Sequence, residues 1–220
     1  MAETGPRQTG REYAEVEYQQ FNPSPALQRA MAVAGAVVTP AAWLLAFVAR
    51  RSDNLFRSVS EALSLVPYAL GIVLRAEFYR RALRQCGRNL LVEFGAVFVY
   101  PDVSVGDNVL IGRFSIVHHC DIGDYALIGE RCTFLSGSRQ HRFERTDIPM
   151  ALQGGQRRRI TVAGDCWIGS HSVVMNDVGE GSVVAAGAVV TAPVAPRSIV
   201  AGNPARLVRS RDREAQEATT

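Results

Sequence analysis

The strongest pattern in the chain is a six-residue period of apolar positions that begins at about Leu90. Four runs carry it: Val105, Ile111 and Val117; Ile122, Ile128 and Phe134; Val162, Ile168 and Val174; Val178, Val184 and Val190. A half-buried strand alternates with a period of two and a helix with a period of about 3.6, so neither produces this spacing. The pattern therefore predicts a stack of coils in which short strands are joined by corners.

Small residues recur at two fixed places after these apolar anchors. Glycine follows many of the anchors directly: Gly106, Gly112, Gly123, Gly129, Gly169 and Gly179. A slim residue stands four positions after the anchor: Val109, Ser115, Ala126, Cys132, Cys166, Ser172, Ser182 and Ala188. Both positions indicate tight corners with little room for side chains, and they explain two of the cysteines as filler.

The period is interrupted in three places. Val117 to Ile122 is one residue short of a full step and Val174 to Val178 is two short, so we expect a tightened or skewed corner at each. The third interruption, residues 136–159, is a long polar insertion. A polar excursion from a rigid scaffold is a common place for functional residues.

The N-terminal part of the chain is apolar in a different way. Residues 30–49 carry no charge and are bracketed by Arg29 and by Arg50 and Arg51, which gives the run the length of a membrane span. It is rich in alanine, valine and glycine, however, and Pro40 would bend a helix at its centre. A kinked, buried or interfacial helical hairpin is the alternative.

A second apolar stretch, residues 62–74, contains Pro67 and leads into four arginines, Arg75, Arg80, Arg81 and Arg84. The arginines either snorkel toward an anionic membrane surface or belong to a helical layer packed on the next domain. The chain thus divides into a flexible tail (1–25), a helical apolar segment (26–85), a repeat domain (86–210) with its insertion, and a second flexible tail (211–220).

Charge and cysteine content narrow the functional classes. The formal net charge is only +3, and the 24 basic residues, all arginine, form no stripe interleaved with aromatic residues, which argues against a nucleic-acid binder. The four cysteines show no C-x-x-C pairing and the first twenty residues are polar, so we expect free thiols and a cytoplasmic protein.

The amino-acid sequence of the repeats resembles that of the hexapeptide-repeat acyltransferases. The likeness covers residues 86–210 and is most specific in Gly164-Asp165-Cys166-Trp167-Ile168-Gly169 and in Ile199-Val200-Ala201-Gly202-Asn203-Pro204-Ala205-Arg206. It implies a mainly β fold, a left-handed parallel β-helix with three short strands per coil. Ser64-Leu65-Val66-Pro67-Tyr68 is similar to the helical preface of a subgroup that acylates cell-surface polysaccharides.

The same resemblance implies a catalytic base. Transfer of an acyl group from a thioester to a hydroxyl needs a base that titrates near neutral pH, and His141 is the only histidine of the insertion. Glu144 or Asp147 would orient its imidazole, unless they form salt bridges with Arg142 or Arg145.

His119 and Arg142 are assigned to the acceptor. The alternative for His118 and His119 is a packed or solvent-facing role, and because they are adjacent we expect them to point to opposite sides of a coil.

For coenzyme A, the resemblance points to a groove between coils of adjacent subunits and to phosphate contacts near the C-terminus. The residues concerned are Trp167, Gly169, Ala185, Ala186, Asn203, Arg206 and Arg209. The backbone N–H of Gly169 is also the expected donor to the oxyanion. A cleft shared between subunits implies a homotrimer.

The sequence thus predicts an O-acyltransferase, with acetyl-CoA as donor and no metal, that acts on a glycan or lipid-linked saccharide at the inner face of a membrane. One alternative is an N- or O-acetyltransferase of a soluble small molecule or nucleotide sugar. A second is a zinc-dependent hydratase on the same fold, which would need three converging histidines. A non-catalytic scaffold is a third.

Overall fold

The computed structural model describes residues 25–212, so nearly all of both predicted tails lies outside the described residues. Three α-helices come first: α1 (Pro25–Ala49), α2 (Asp53–Ser64) and α3 (Tyr68–Ala82). Sixteen strands follow in the described part: β1 (Gln85–Cys86), β2 (Leu91–Val92), β3 (Val97–Phe98), β4 (Ser104–Val105), β5 (Leu110–Ile111), β6 (Ile116–Val117), β7 (Cys120–Ile122), β8 (Leu127–Ile128), β9 (Thr133–Phe134), β10 (Ile160–Val162), β11 (Trp167–Ile168), β12 (Val173–Val174), β13 (Val183–Val184), β14 (Val189–Val190), β15 (Ser198–Ala201) and β16 (Arg206–Ser210). A 3-10 helix, Met150–Leu152, lies in the insertion.

The strands form three parallel sheets, which we call sheets A, B and C. Sheet A has the order β1-β4-β7-β10, sheet B the order β16-β15-β13-β11-β8-β5-β2, and sheet C the order β14-β12-β9-β6-β3. Only β16 runs antiparallel to its neighbour. The chain visits A, B and C in turn, which makes a parallel β-solenoid of about six coils and confirms the prediction from the six-residue period.

The apolar anchors stack on one another from coil to coil. Ile111 pairs with Ile128 in sheet B, and Val117 with Phe134 in sheet C. These side chains are fully buried and form the core of the solenoid. Burial of their apolar surface is the main force that holds successive coils together.

The corner glycines are required by the spacing of the coils. A Cβ on Gly112 would lie 2.5 Å from the carbonyl carbon of Gly129 in the next coil. The left-handed backbone of each corner is instead carried three residues after the anchor, at Asn108 (φ +57°) and Phe114 (φ +58°) for example. The glycine therefore permits close approach of two backbones, while the residue two positions after it makes the turn.

Both shortened steps fall on the corner between sheets C and A. The register survives there, since Val105 still pairs with Ile122 and Val162 forms a bridge with Val178. After the first step β7 remains a three-residue strand, whereas after the second sheet A is reduced to a single bridge at Val178. The corner is tightened, as expected, without a slip of the coils.

Helices α2 and α3 pack on the first coil. Phe56, Phe78, Tyr79 and Phe98 are fully buried against one another. The Tyr79 hydroxyl lies 2.7 Å from the Ser60 hydroxyl, which donates to the Phe98 carbonyl at 3.0 Å. Burial raises the pKa of Tyr79 to about 12. The helical layer is thus continuous with the solenoid core.

The arginines of the second apolar stretch bind groups of the protein, and for the fully buried Arg75 the snorkelling interpretation is wrong. Arg75 is fully buried and donates to the carbonyls of Val92 (2.8 Å) and Leu63 (2.9 Å). Arg80 and Arg81 both bind Glu77, and Arg84 binds Asp121 at 2.7 Å. Arg75 joins helix ends to the solenoid because its guanidinium satisfies carbonyls from both.

Helix α1 runs unbroken through Pro40 and is not a hairpin. Its small residues, such as Gly35, Ala42 and Ala46, are buried on the side that contacts α2 and α3. Across residues 25–212, no helix combines the length and the apolar character that crossing a bilayer requires.

Candidate active site

The insertion folds back on itself, so that its two ends run side by side. Arg158 N–H donates to the Ser136 carbonyl, Gln156 N–H to the Arg139 carbonyl and Arg142 N–H to the Gly154 carbonyl, each at 2.9 Å. These bonds hold the backbone on both sides of His141. A loop of 24 residues thereby presents its histidine from a paired stem instead of a free chain.

Two residues of the returning arm support the histidine segment. A Cβ on Gly155 would lie 1.7 Å from the Gln140 carbonyl oxygen, so the arm can pass the Gln140-His141 peptide only with glycine there. At the tip, the Gln153 side chain accepts from Arg145 N–H at 3.1 Å and donates to the Arg145 carbonyl at 2.7 Å. Sequence reasoning did not assign either residue a role, although the Gly154-Gly155 pair was visible.

The imidazole of His141 is exposed, and it forms no hydrogen bond or ion pair with any residue between 25 and 212. Neither carboxylate expected to orient it does so here. Glu144 accepts from Phe143 N–H at 3.1 Å, and Asp147 pairs with Arg145, which lowers the pKa of Asp147. The salt-bridge alternative therefore describes Asp147, with Arg145 as its partner.

Neighbours in a strand point to opposite sides, and we expected this of His118 and His119. The structure instead turns both rings toward Tyr100. They occupy the shortened corner between β6 and β7, and both rings lie beside Tyr100, at centroid distances of 6.1 and 4.0 Å. His119 Nδ1 is 3.0 Å from the hydroxyl of Ser136, the first residue of the insertion. Burial, followed by nearby cationic groups, lowers the pKa of both histidines.

Several residues assigned to coenzyme A form a column on the corner between sheets B and C. Gly169 lies directly beneath Ala185 and Ala186, since a Cβ on Gly169 would meet the Ala186 nitrogen at 2.4 Å. The Gly169 N–H donates to the Val184 carbonyl at 2.7 Å, so the expected oxyanion donor is already used between coils. The N–H groups of Ser170 and Ala186, by contrast, make no backbone hydrogen bond in the described chain.

The remaining residues assigned to coenzyme A lie farther along the same edge and on sheet B. Trp167 is 57% exposed and, with Arg209, lines a cavity of about 450 Å³ over sheet B. Asn203 and Arg206 are exposed at the turn between β15 and β16, and the Val189 N–H donates to the adjacent Gly202 carbonyl at 3.0 Å. The structure thus gathers these residues along one edge and one face of the solenoid.

The base and the column lie on different edges of the same chain. The insertion leaves the solenoid after β9 of sheet C and returns at β10 of sheet A, whereas Gly169 and Ala186 lie where sheet B passes into sheet C. Sheet C therefore separates the root of the insertion from the column.

The thiols and the metal-binding residue types offer no competing centre in the described region. Cys120, Cys132 and Cys166 are buried, and burial raises the pKa of each thiol, which disfavours the thiolate that a nucleophile requires. Within residues 25–212 no three His, Cys, Asp or Glu side chains are arranged to hold a metal ion, so the ligand set of the hydratase alternative is not found there.

A family model and individual relatives relate this chain to the same protein family. Residues 100–136 match the family model for the bacterial transferase hexapeptide (six repeats). The galactoside O-acetyltransferase of Escherichia coli K12 is 31% identical over 147 residues, which cover 61% of this chain and 68% of that protein. A chloramphenicol acetyltransferase of Klebsiella aerogenes is 32% identical over 131 residues, covering 53% of this chain. The chain spans 58% of the length of that relative.

A solved structure shares the architecture. The hexapeptide-repeat-containing acetyltransferase of Vibrio cholerae, complexed with acetyl coenzyme A, aligns with a TM-score of 0.58 at 27% identity. The alignment covers 71% of this chain and 87% of that one.

Proposed function

Since this chain belongs to the hexapeptide-repeat transferase family, we propose that it transfers an acetyl group from acetyl-CoA to a hydroxyl of a saccharide, with His141 as the general base. The observation that carries the proposal is an exposed imidazole that bonds to none of the described residues, held on a paired stem that leaves the solenoid after β9. A base must have a free nitrogen to accept a proton, and this imidazole has both nitrogens available.

The chemistry follows from these groups. The His141 imidazole takes the proton as the acceptor oxygen attacks the thioester carbonyl, so that a C–O bond forms and a tetrahedral oxyanion develops. We assign the backbone N–H groups of Ser170 and Ala186, which make no backbone hydrogen bond in the described chain, as donors to that oxyanion. The C–S bond then breaks, and the proton passes to the leaving thiolate of CoA. Cys120, Cys132 and Cys166 are buried, and burial raises the pKa of the half-buried Cys86 to about 11, so we assign no acyl-cysteine and take transfer to be direct.

Binding of CoA is assigned to the edge that carries the column and to the cavity beside Trp167. The indole offers an exposed apolar surface to the pantetheine arm, and Arg206 and Arg209 offer guanidinium groups, which bind phosphate in bidentate fashion. Asn203 lies at the turn between β15 and β16.

We further propose that the working enzyme is a homotrimer. The insertion that carries His141 is rooted across sheet C from the column within one chain, so we infer that a neighbouring copy supplies the other half of each site. A threefold arrangement is a closed symmetry that repeats one such contact three times.

The proposal is tested by the chemical class of the product. The full chain is incubated with acetyl-CoA and either neutral saccharides, sugar phosphates or amino sugars, and released thiol is measured. We expect release that depends on a saccharide hydroxyl and a product whose ester is cleaved by hydroxylamine. Release with amino sugars alone, giving a hydroxylamine-resistant amide, would favour the N-acetyltransferase alternative instead.

The outer face of α1 supports a peripheral location at the inner membrane surface. Five large apolar side chains on it are 50–74% exposed: Val33, Val37, Trp43, Leu44 and Phe47. The buried face of the same helix carries mainly alanine and glycine, the reverse of a helix in a water-soluble layer. Arg29, Arg50 and Arg51 are exposed at its two ends, and α1 contains no acidic residue, which suits anionic lipid.

Vesicle binding tests this location. Removing Trp43 and Leu44 together (Trp43→Ser/Leu44→Ser) is expected to weaken binding to phosphatidylglycerol-containing vesicles by about a hundredfold, because two large side chains lose apolar burial. Co-sedimentation measures it. The matched control, Leu207→Ser/Val208→Ser, changes an equally exposed apolar pair on β16. Equal sedimentation of wild type with and without anionic lipid would contradict the proposed location.

A further inference from the structure

A cluster of cationic and aromatic side chains lies at the root of the insertion, around Tyr100. We call Arg57, Tyr100, His118, His119 and Arg157 the Tyr100 cluster. The His119 ring stacks on Tyr100 with an interplanar angle of 22°, while the guanidinium carbons of Arg57 and Arg157 lie 5.8 and 5.2 Å from the centre of the same ring. The cluster therefore joins α2, the corner between sheets C and A, and the insertion.

Within the part of the chain that the structure describes, no carboxylate pairs with the two arginines of the cluster. Neither Arg57 nor Arg157 forms an ion pair with a described carboxylate. Asp53 and Asp102 exert a field on His119, but Asp102 is itself bound by Arg84 and Arg159. A site that concentrates cations without carboxylate partners attracts an anion.

A buried donor of the cluster points to the same missing ligand. The Nε of Arg57 is buried and has no hydrogen-bond acceptor among residues 25–212. Buried donors in folded proteins are nearly always paired, so this one marks a position where an acceptor oxygen is expected. Side-chain nitrogens of Gln140, next to His141 in the sequence, and of Arg75, outside the cluster, are also buried without an acceptor in the described chain.

The cluster is within reach of the reaction centre. His119 contacts Ser136, and His141 lies five positions after Ser136, so the chain between them spans at most about 17 Å. A group held at the cluster can therefore belong to the molecule whose hydroxyl meets His141. It need not belong to a separate effector.

We propose that the Tyr100 cluster binds the phosphoryl group of a phosphorylated saccharide acceptor. The inference rests on the proposed acetyl transfer and names its substrate class. Arg57 and Arg157 approach from two elements, and each guanidinium offers a planar pair of donors to phosphate oxygens. The imidazoles approach from a third element. Donors from several directions suit a tetrahedral anion better than a planar carboxylate.

Binding without turnover tests the site independently of the reaction. Titration calorimetry of the full chain with glucose 1-phosphate and with glucose is expected to show at least tenfold tighter binding of the phosphate. Arg57→Gln and Arg157→Gln should each weaken glucose 1-phosphate binding about tenfold and leave glucose unchanged. The control, Arg197→Gln, removes an exposed arginine that pairs with Asp212 on the last coil, and it should bind as wild type does. Thermal melting verifies that each variant is folded.

The result that would overturn the site is equal affinity of folded wild type for glucose and glucose 1-phosphate, or Gln variants with unchanged affinity. His141→Ala should retain phosphate binding, so loss of turnover alone bears on the proposed function and not on this site. A polyprenyl phosphosaccharide in micelles serves as a second probe. Tighter binding than glucose 1-phosphate identifies the lipid-linked source, and equal binding identifies a soluble sugar phosphate. Both outcomes support a phosphoryl site.

Discussion

Replacement of His141 by alanine is expected to lower kcat/KM for acetyl transfer by about two to four orders of magnitude, the usual contribution of a positioned general base. Without the imidazole, the acceptor hydroxyl must lose its proton to water as it attacks the thioester. The side chain is exposed and bonds to no described residue, so its removal should leave the melting temperature unchanged. A loss of activity would then result from the missing general base and not from unfolding.

Steady-state thiol release with wild type, His141→Ala and a control from the same insertion measures this effect. Thr146→Ala is a suitable control, because Thr146 is exposed near the tip of the insertion. A folded His141→Ala protein with a rate close to that of wild type would show that another group removes the proton.

Gly155→Ala should lower kcat about a hundredfold without removing the base. The added Cβ would lie 1.7 Å from the Gln140 carbonyl oxygen, so the arm that carries His141 must move. A displacement of about 1 Å at a catalytic group is enough for a loss of this size. The column and the cavity beside Trp167 lie on another edge, so acetyl-CoA affinity, measured by calorimetry, should stay within about twofold of wild type.

The neighbouring glycine provides the matched control. Gly154, unlike Gly155, has a positive φ (+71°), and a Cβ there would meet nothing within 4 Å. Gly154→Ala therefore introduces backbone strain without a collision, and we expect a much smaller effect on kcat. Equal losses for the two variants would attribute the effect to flexibility of the insertion and would contradict the positioning role of Gly155.

The repeat domain was accessible to sequence reasoning because its pattern is local and periodic. An anchor such as Ile128 is buried by residues one coil before and after it, so the same chemical requirement returns at every step. The recurrent glycines also correctly predicted tight corners, although the space is limited by the backbone of the neighbouring coil. That Gly112 faces the backbone of Gly129 is visible only in the three-dimensional structure.

The site was less accessible because it depends on contacts distant in sequence. Arg57 and Arg157 are a hundred residues apart and meet only because α2 packs beside the corner that carries His119. Likewise, the spacing of Glu144, Arg145 and Asp147 cannot decide which charges pair. The Gly169 N–H was assigned to the oxyanion from family likeness, and its bond to Val184 became visible only with the coils in register.

The central claim is that His141 accepts the proton while the acetyl group passes directly from acetyl-CoA to a saccharide hydroxyl. Mass spectrometry of acceptor and enzyme after reaction with isotopically labelled acetyl-CoA tests it most directly, using wild type and His141→Asn. We expect a labelled ester on the acceptor and an unlabelled enzyme for wild type, with the ester reduced at least a hundredfold for the variant. An equal yield of ester from the folded variant, or label that accumulates on the enzyme and then moves to the acceptor, would contradict it.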